Sequence, residues 1–154
     1  MRRVRLSVAM SLDGFIAGPT GESDWIVMDP DIDFRELFQQ FDTVLMGRKS
    51  YEAARAQGGG GGMPGMRAFV VSRTLRQSDC PDATVLSQPQ ETVPDLKASA
   101  GKDIWLFGGG GLFHSLLDLG LVDSVEVAII PVLLGEGLPL FEAVQTATRQ
   151  TSHL

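Results

Sequence analysis

The chain has 154 residues, 44% of them hydrophobic, which is enough for one domain with a single buried core and too little for two. A formal net charge of −6, with no run of Lys and Arg interleaved with aromatics, excludes a nucleic-acid surface, so an anionic ligand must be held by a local cluster of cations. Cys80 is the only cysteine, which leaves no intrachain disulfide and no thiolate metal cage, and it reads as an incidental small residue beside Pro81.

Arg2, Arg3 and Arg5 precede a short apolar stretch that Asp13-Gly14 interrupts, so the N-terminus reads as a first strand, Val4 to Met10, and not as a signal peptide. No apolar run reaches membrane-spanning length, and a reduced, cytoplasmic setting is the default expectation. From Phe15 to Asp33 the chain is rich in Gly, Pro and Asp, a connection long enough to suggest function. Asp33 stands where an N-cap would, before a helix from Phe34 to Phe41 whose Phe34, Leu37, Phe38 and Phe41 share one core-facing side.

Thr43 to Met46 is an apolar run of the kind buried on both faces of a parallel sheet. It ends at Gly47-Arg48-Lys49-Ser50, which opens a helix through Tyr51, Ala53 and Ala54. The glycines from Gly58 to Gly62 read as a mobile surface loop, because ordering them costs too much backbone entropy. The GxxxxGK[ST] pattern of a phosphate loop is absent there and around Gly47, which disfavours a nucleotide triphosphatase.

Ala68 to Val71 is a third strand ending at Ser72-Arg73-Thr74, Thr84 to Leu86 a short fourth, and Glu91 to Ala100 an amphipathic helix with Val93 and Leu96 inward. Ile104 to Phe107 is a strand that passes through Gly108, Gly109, Gly110 and Gly111 into a helix beginning at Leu112. Bare glycines let a ligand approach the backbone, and the first amides of the helix suit an anion. A packing turn between strand and helix is the alternative, and this stretch does not decide between the two. Val125 to Ile130 closes the series of strands. Short apolar strands alternating with helices predict a doubly wound α/β domain with a mostly parallel sheet, without internal repeats.

In such a sheet ligands bind beyond the carboxyl ends of the strands. Gly47 to Ser50, Ser72 to Thr74 and Gly108 to Gly111 all sit at strand ends: the first two offer cations and hydroxyls, the third bare amides. Together they describe a pyrophosphate seat and a separate basic seat, as the extra 2′-phosphate of NADP would need. His114 and His153 make a poor metal site or triad, and His114 reads as structural within its helix. A GxSxG elbow is missing. Hydride transfer fits this poverty of reactive side chains, because the cofactor carries the reactive atom.

The motifs Ser11-Leu12-Asp13-Gly14-Phe15-Ile16-Ala17, Gly21-Glu22-Ser23-Asp24-Trp25-Ile26, Gly47-Arg48-Lys49-Ser50-Tyr51-Glu52 and Val71-Ser72-Arg73-Thr74-Leu75, with the Gly108 to Gly111 turn and Pro131 to Phe141, resemble the dihydrofolate-reductase-like superfamily. The nearest branch is the reductase (RibD C-terminal) domain of riboflavin biosynthesis and its stand-alone relatives. The resemblance implies a three-layer sheet of the dihydrofolate-reductase type and an NADPH-dependent reductase acting on a small pteridine- or pyrimidine-like or carbonyl substrate, or an NADP(H)-binding protein without turnover. It implies that Gly47, Arg48, Lys49, Ser50, Ser72, Arg73, Gly108, Gly109, Gly110, Gly111 and Leu112 hold the cofactor. Asp13 and Gly14 would lie near the nicotinamide, and Ser23 and Trp25 on a loop over the substrate.

Asp13, at a strand end, is the carboxylate best placed to orient substrate or relay a proton, with an Asp-Gly turn as its alternative role. Asp24, Asp29 and Asp31 read as solvated. Two features depart from the riboflavin enzymes. Phe15 stands where they usually have a basic residue, and the acidic Val27 to Asp33 replaces an arginine-rich segment, which disfavours a phosphoribosyl substrate. The chain ends at Leu154, where the family's final antiparallel hairpin is expected, so the hairpin is either missing, leaving an exposed sheet edge, or lies outside this sequence. The resemblance also suggests a homodimer, with Ile129 to Leu134 as a contact.

Overall fold

The computed structural model describes residues 1–26, 34–56 and 65–140. In chain order the elements are β1 (Val4–Ser11), β2 (Phe15–Ala17), α1 (Phe34–Phe38), β3 (Phe41–Gly47), α2 (Arg48–Ala56), β4 (Arg67–Val71), a 3₁₀ turn (Gln77–Asp79), β5 (Thr84–Leu86), α3 (Pro89–Ala98), β6 (Asp103–Gly108), α4 (Gly110–Asp118), β7 (Ser124–Ile130) and β8 (Leu138–Pro139). Six strands form one parallel sheet in the order β5-β4-β3-β6-β1-β7, and β2 pairs with β8 in a small antiparallel ribbon.

Apolar residues cover both faces of the sheet, which is why its strands read as nearly continuous hydrophobic runs. On one face Leu6, Leu45 and Leu106 pack with Val93 and Leu96 of α3 and Phe113 and Leu116 of α4. On the other, Val44, Met46 and Trp105 pack with Tyr51 of α2 and Leu37 and Phe38 of α1. The expected three-layer α/β architecture is therefore present. Val93, Leu45, Leu106 and Leu116 are fully buried, and truncating any of them to Ala removes packing worth about 2–5 kcal/mol.

The expected elements differ from the structure in detail. The helix read from Phe34 to Phe41 stops at Phe38, and Phe41 opens β3. The amides of Gln39 and Gln40 are taken up by the Arg35 and Leu37 carbonyls as the helix ends. Phe41 is still core: its ring stacks on Trp105 at 5.9 Å between centroids. The helix expected from Glu91 to Ala100 begins two residues earlier, with Pro89 in its first turn, where a missing N–H costs nothing. The short β2 and β8 carry too few residues for a recognisable alternation. The Gly58 to Gly62 loop, the acidic segment from Val27 to Asp33 and the expected hairpin after Leu140 lie outside the described residues.

The N-terminal arginines are part of the frame. Arg2, 6% exposed, donates to the Lys102 carbonyl at 2.6 Å, Ser99 Oγ at 3.1 Å, Asp42 Oδ1 at 2.6 Å and the Thr43 hydroxyl. Arg5, equally buried, grips Glu126 with two bonds of 2.6 and 3.0 Å, reaches Gln40 at 2.7 Å, and lies over the Phe41 ring. The Glu126 bond and charge, reinforced by Asp103, raise the Arg5 pKa against the opposing pull of burial. These contacts tie β1, β3, β6 and β7 together at the amino-terminal edge of the sheet.

Breaking this network leaves buried acceptors unpaired. Arg2→Met is expected to lower the unfolding free energy by about 3 kcal/mol, read from urea denaturation; an unchanged midpoint would show that the network contributes nothing.

Acid should weaken the same edge. Burial opposes ionisation of Asp42 and Asp103, but the Lys102 N–H, Thr43 and Arg2 around Asp42, and the Arg3 N–H and Arg5 around Asp103, outweigh it and hold both carboxyls below their ordinary value. A carboxyl depressed on folding stabilises the native state fully above its unfolded pKa of about 3.9. That stabilisation is lost as the pH falls through the folded value. Stability should therefore be flat with pH just above that range and drop below about pH 4. Urea midpoints measured across pH 2–6 that stay level would refute this.

Candidate active site

All six strands run in one direction, so their carboxyl ends share one edge, opposite the arginine network. An open cleft of about 1510 Å³ lies there, larger than the roughly 300–1,000 Å³ of a site for one small molecule. Its wall takes Gly47, Arg48, Lys49 and Ser50 from the β3–α2 junction, Ser72 and Arg73 from the end of β4, and Gly109, Gly110, Gly111 and Leu112 from the start of α4. The three expected strand ends therefore meet in one place, and of the residues expected to hold the cofactor only Gly108 is not on the wall.

They meet because β6 is inserted between β3 and β1, reversing the winding and parting the loops on either side. A Cβ at Gly47 would lie 3.8 Å from the Gly108 carbonyl oxygen and 3.9 Å from the Gly109 amide nitrogen. One built at Gly109 would lie 3.8 Å from Ser50 Oγ. The glycines differ in what they do. Gly108 has φ of 126°, a conformation in which a side chain would be strained, and its peptide bond to Gly109 is cis. Gly110 packs against the strand after it in space, since a Cβ there would sit 3.1 Å from the Pro139 and Leu140 carbonyl oxygens. Gly111 faces open space, with nothing within 4 Å of its Cβ position.

The cations divide in the same way. Arg48 makes a loose 3.4 Å pair with Glu52 one turn along α2, an exposed contact of little energy. Arg73 and Lys49 have no ion-pair partner among the described residues. Ser72 is buried and its hydroxyl accepts the Thr74 and Leu75 amides at 3.1 and 3.0 Å, so it builds the turn that carries Arg73 outward. At the opposite side, the amides that open α4 lack an acceptor within the helix and point their partial positive charge along its axis.

The residues expected near the substrate are only partly on the wall. Ser23 lines the cleft, as does Ile26, which was not among them; Asp13, Gly14 and Trp25 do not. Asp13 and Gly14 form the turn into β2, whose Ile16 and Ala17 are lining residues. The Asp13 carboxylate is taken up by protein: it accepts the Ser11 hydroxyl at 2.6 Å, the Leu134 amide at 3.2 Å and the Gly135 amide at 2.8 Å. Its pKa is lowered by the Ser11 bond first and the two amides after it. Its oxygens hold the 134–135 loop against the β1–β2 turn and it is not on the cleft wall, an arrangement that fits the Asp-Gly turn given as its alternative role. Trp25 donates its indole N–H to the Glu22 carbonyl at 2.9 Å, closing its own loop.

The sequence reading missed part of the wall. Ser7 and Ala9 of β1, Trp105 and Phe107 of β6, and Ser87, Pro89 and Gln90 beyond β5 all line the cleft. The aromatic residues lie inside an apolar run that reads as core, and Trp105 is indeed mostly buried; Phe107 is not, being 42% exposed. His114 sits within α4 beside Asp118 at 3.4 Å. Among the described residues no cluster of His, Cys, Asp and Glu could hold a metal ion, and no helix is long and apolar enough to cross a membrane.

Residues 2–153 match the family model of the RibD C-terminal domain. YyaP of Bacillus subtilis (strain 168), itself uncharacterized, is 40% identical over 151 residues, covering 91% of this chain and 80% of YyaP. The riboflavin biosynthesis protein RibD of Corynebacterium ammoniagenes is 26% identical over 162 residues, covering 94% of this chain but 48% of RibD, so the chain spans about half of that protein. Among solved structures, a Shewanella sp. PV-4 protein provisionally assigned to riboflavin biosynthesis superposes with a TM-score of 0.76 at 26% identity, covering 94% of this chain and 86% of its own. Enterococcus faecalis dihydrofolate reductase, solved with NADP(H), shares the fold at a TM-score of 0.68 and 17% identity, over 93% of this chain and 79% of its own. With its parallel sheet, its reversal at β6 and a match over nearly its whole length, the chain belongs to the RibD C-terminal domain family and has a dihydrofolate-reductase-like fold.

Proposed function

We propose that the protein is an NADPH-dependent reductase that delivers hydride to a small pteridine- or pyrimidine-like or carbonyl substrate. The observation that carries this reading is the convergence of Arg48, Lys49 and Arg73 with the Gly109 to Gly111 amides on one cleft. A dinucleotide with a 2′-phosphate needs both kinds of seat. The amides opening α4 suit its pyrophosphate, and Gly111 leaves open space above them. The cations at the ends of β3 and β4 suit the 2′-phosphate, with guanidinium forks matched to its oxygens. NADPH supplies the hydride, and the chain supplies placement.

Residues of this chain then shape the remainder of the cleft. Ile16, Ala17, Leu138 and Pro139 form an apolar wall from the β2–β8 ribbon, which keeps water from the reacting atoms. Asp13 acts as a positioning residue through that ribbon, holding the loop that leads into β8. Its occupied oxygens and lowered pKa favour orientation over proton relay.

A second reading, an NADP(H)-binding protein without turnover, is favoured by one observation. Among the described lining residues Asp118 is the sole carboxylate, and it stands at the last position of α4 beside His114. Loss of NADPH absorbance across a panel of pterins, flavin precursors and quinones separates the two readings: consumption supports the reductase, and tight binding without consumption supports the second.

Adding NADPH should quench tryptophan fluorescence, since Trp105 lines the cleft, and should release heat in calorimetry; the absence of both signals would overturn the cofactor assignment. Gly111→Ala is expected to keep or slightly raise the melting temperature, because Ala suits a helix and meets nothing there, while weakening NADPH and NADH alike by about tenfold. Arg48→Ala combined with Arg73→Ala should weaken NADPH by about ten- to a hundredfold and NADH far less. Equal losses for both cofactors would contradict the 2′-phosphate seat.

A further inference from the structure

The cleft is electrically divided, and the division bears on what the proposed reductase reduces. Its described lining cations, Arg48, Lys49 and Arg73, stand at the ends of β3 and β4. The half built by β1, β2 and the following loop offers Ser7, Ala9, Ile16, Ala17, Ser23 and Ile26, none of them charged. Arg5, two residues from Ser7 on the same face of β1, brings no free charge there, because Glu126, Gln40 and Asp103 hold its guanidinium.

Phe107 sits between the two halves. Strand alternation puts it on the face of Trp105, and the pairing of Arg5 with Trp105 and Leu6 with Leu106 brings it level with Ser7 of β1. It ends a chain of rings: Phe38 lies 5.3 Å and Phe41 5.9 Å from Trp105, and Trp105 meets Phe107 edge-on at 5.4 Å. The Trp105 indole is fixed by its bond to the Ser7 carbonyl at 3.0 Å. The inner rings are packed, and Phe107 alone keeps 42% of its surface exposed on the cleft wall. A half-exposed aromatic ring on the cleft wall, packed against Trp105 and beside an uncharged floor, offers a surface for stacking.

We infer that Phe107 is a specificity-determining residue that stacks on the substrate, and that the substrate is a planar conjugated ring without a phosphate group. A phosphorylated substrate would bring two negative charges into a half-cleft whose described lining has no cation to meet them, losing solvation without compensation. This inference rests on the proposed cofactor placement only for which half the substrate takes.

Matched ligand pairs test it: riboflavin against FMN, and inosine against IMP, titrated by calorimetry into the full chain with and without saturating NADPH. The unphosphorylated member of at least one pair should bind, and more tightly than its phosphate ester. Phe107→Ala should weaken that binding about three- to tenfold, and Phe107→Tyr should restore it. The NADPH dissociation constant should move less than about twofold in either variant, on the same scale. Melting temperatures of the variants check the fold, which a half-exposed side chain should leave intact. Tighter binding of the phosphate esters, no binding of any ring, or ring binding indifferent to Phe107→Ala would overturn the inference. If NADPH itself fails to bind while riboflavin or inosine binds and depends on Phe107, the cofactor reading fails and the stacking role stands.

Discussion

Everything in this molecule follows from the insertion of β6 between β3 and β1 in a sheet whose six strands all point the same way. Parallel pairing gathers the carboxyl ends on one edge. The insertion then forces the chain after β6 to turn sharply beside the end of β3, and Gly47 and Gly109 come within contact distance there. A cleft at that point needs no further device, since the connections on either side leave in opposite directions.

The two edges of the sheet carry opposite solutions to the problem of charge. At the amino-terminal edge Arg2 and Arg5 are buried and saturated with hydrogen bonds, which tie four strands together and leave nothing for a ligand. At the carboxyl edge Lys49 and Arg73 stay in contact with solvent and without ion-pair partners among the described residues. Basic residues are thus locked into the frame at one end and left exposed on the cleft at the other, and the difference lies in burial and in nearby carboxylates. Asp13 spans these roles: it is charged and near the cleft, yet spent on two backbone amides that hold the β2–β8 ribbon in place.

Much of this was legible in the chain. Apolar runs at Thr43 to Met46 and Ile104 to Phe107 identify buried parallel strands because both faces of the sheet are covered. The three rims of the cleft were legible because glycines, cations and hydroxyls immediately after such runs have few structural reasons to be there. What stayed hidden depends on contacts far apart in sequence. The partners of Asp13 lie more than a hundred residues away, so its bracing role has no local signature. Arg2 and Arg5 look like a solvated terminus until Asp42 and Glu126 are brought to them. Phe107 is indistinguishable from its core neighbours until the fold shows it half-exposed on the cleft wall. The ribbon strands β2 and β8 are too short for periodicity to speak.

Whether the ends of β3, β4 and β6 enclose one dinucleotide is read most directly from backbone amide chemical shifts recorded during an NADPH titration. The largest changes should fall on Gly47 to Ser50, on Ser72 and Arg73, and on Gly109 to Leu112, with the Arg2 and Arg5 edge silent. Changes centred on that opposite edge, or confined to one of the three rims, would contradict that enclosure.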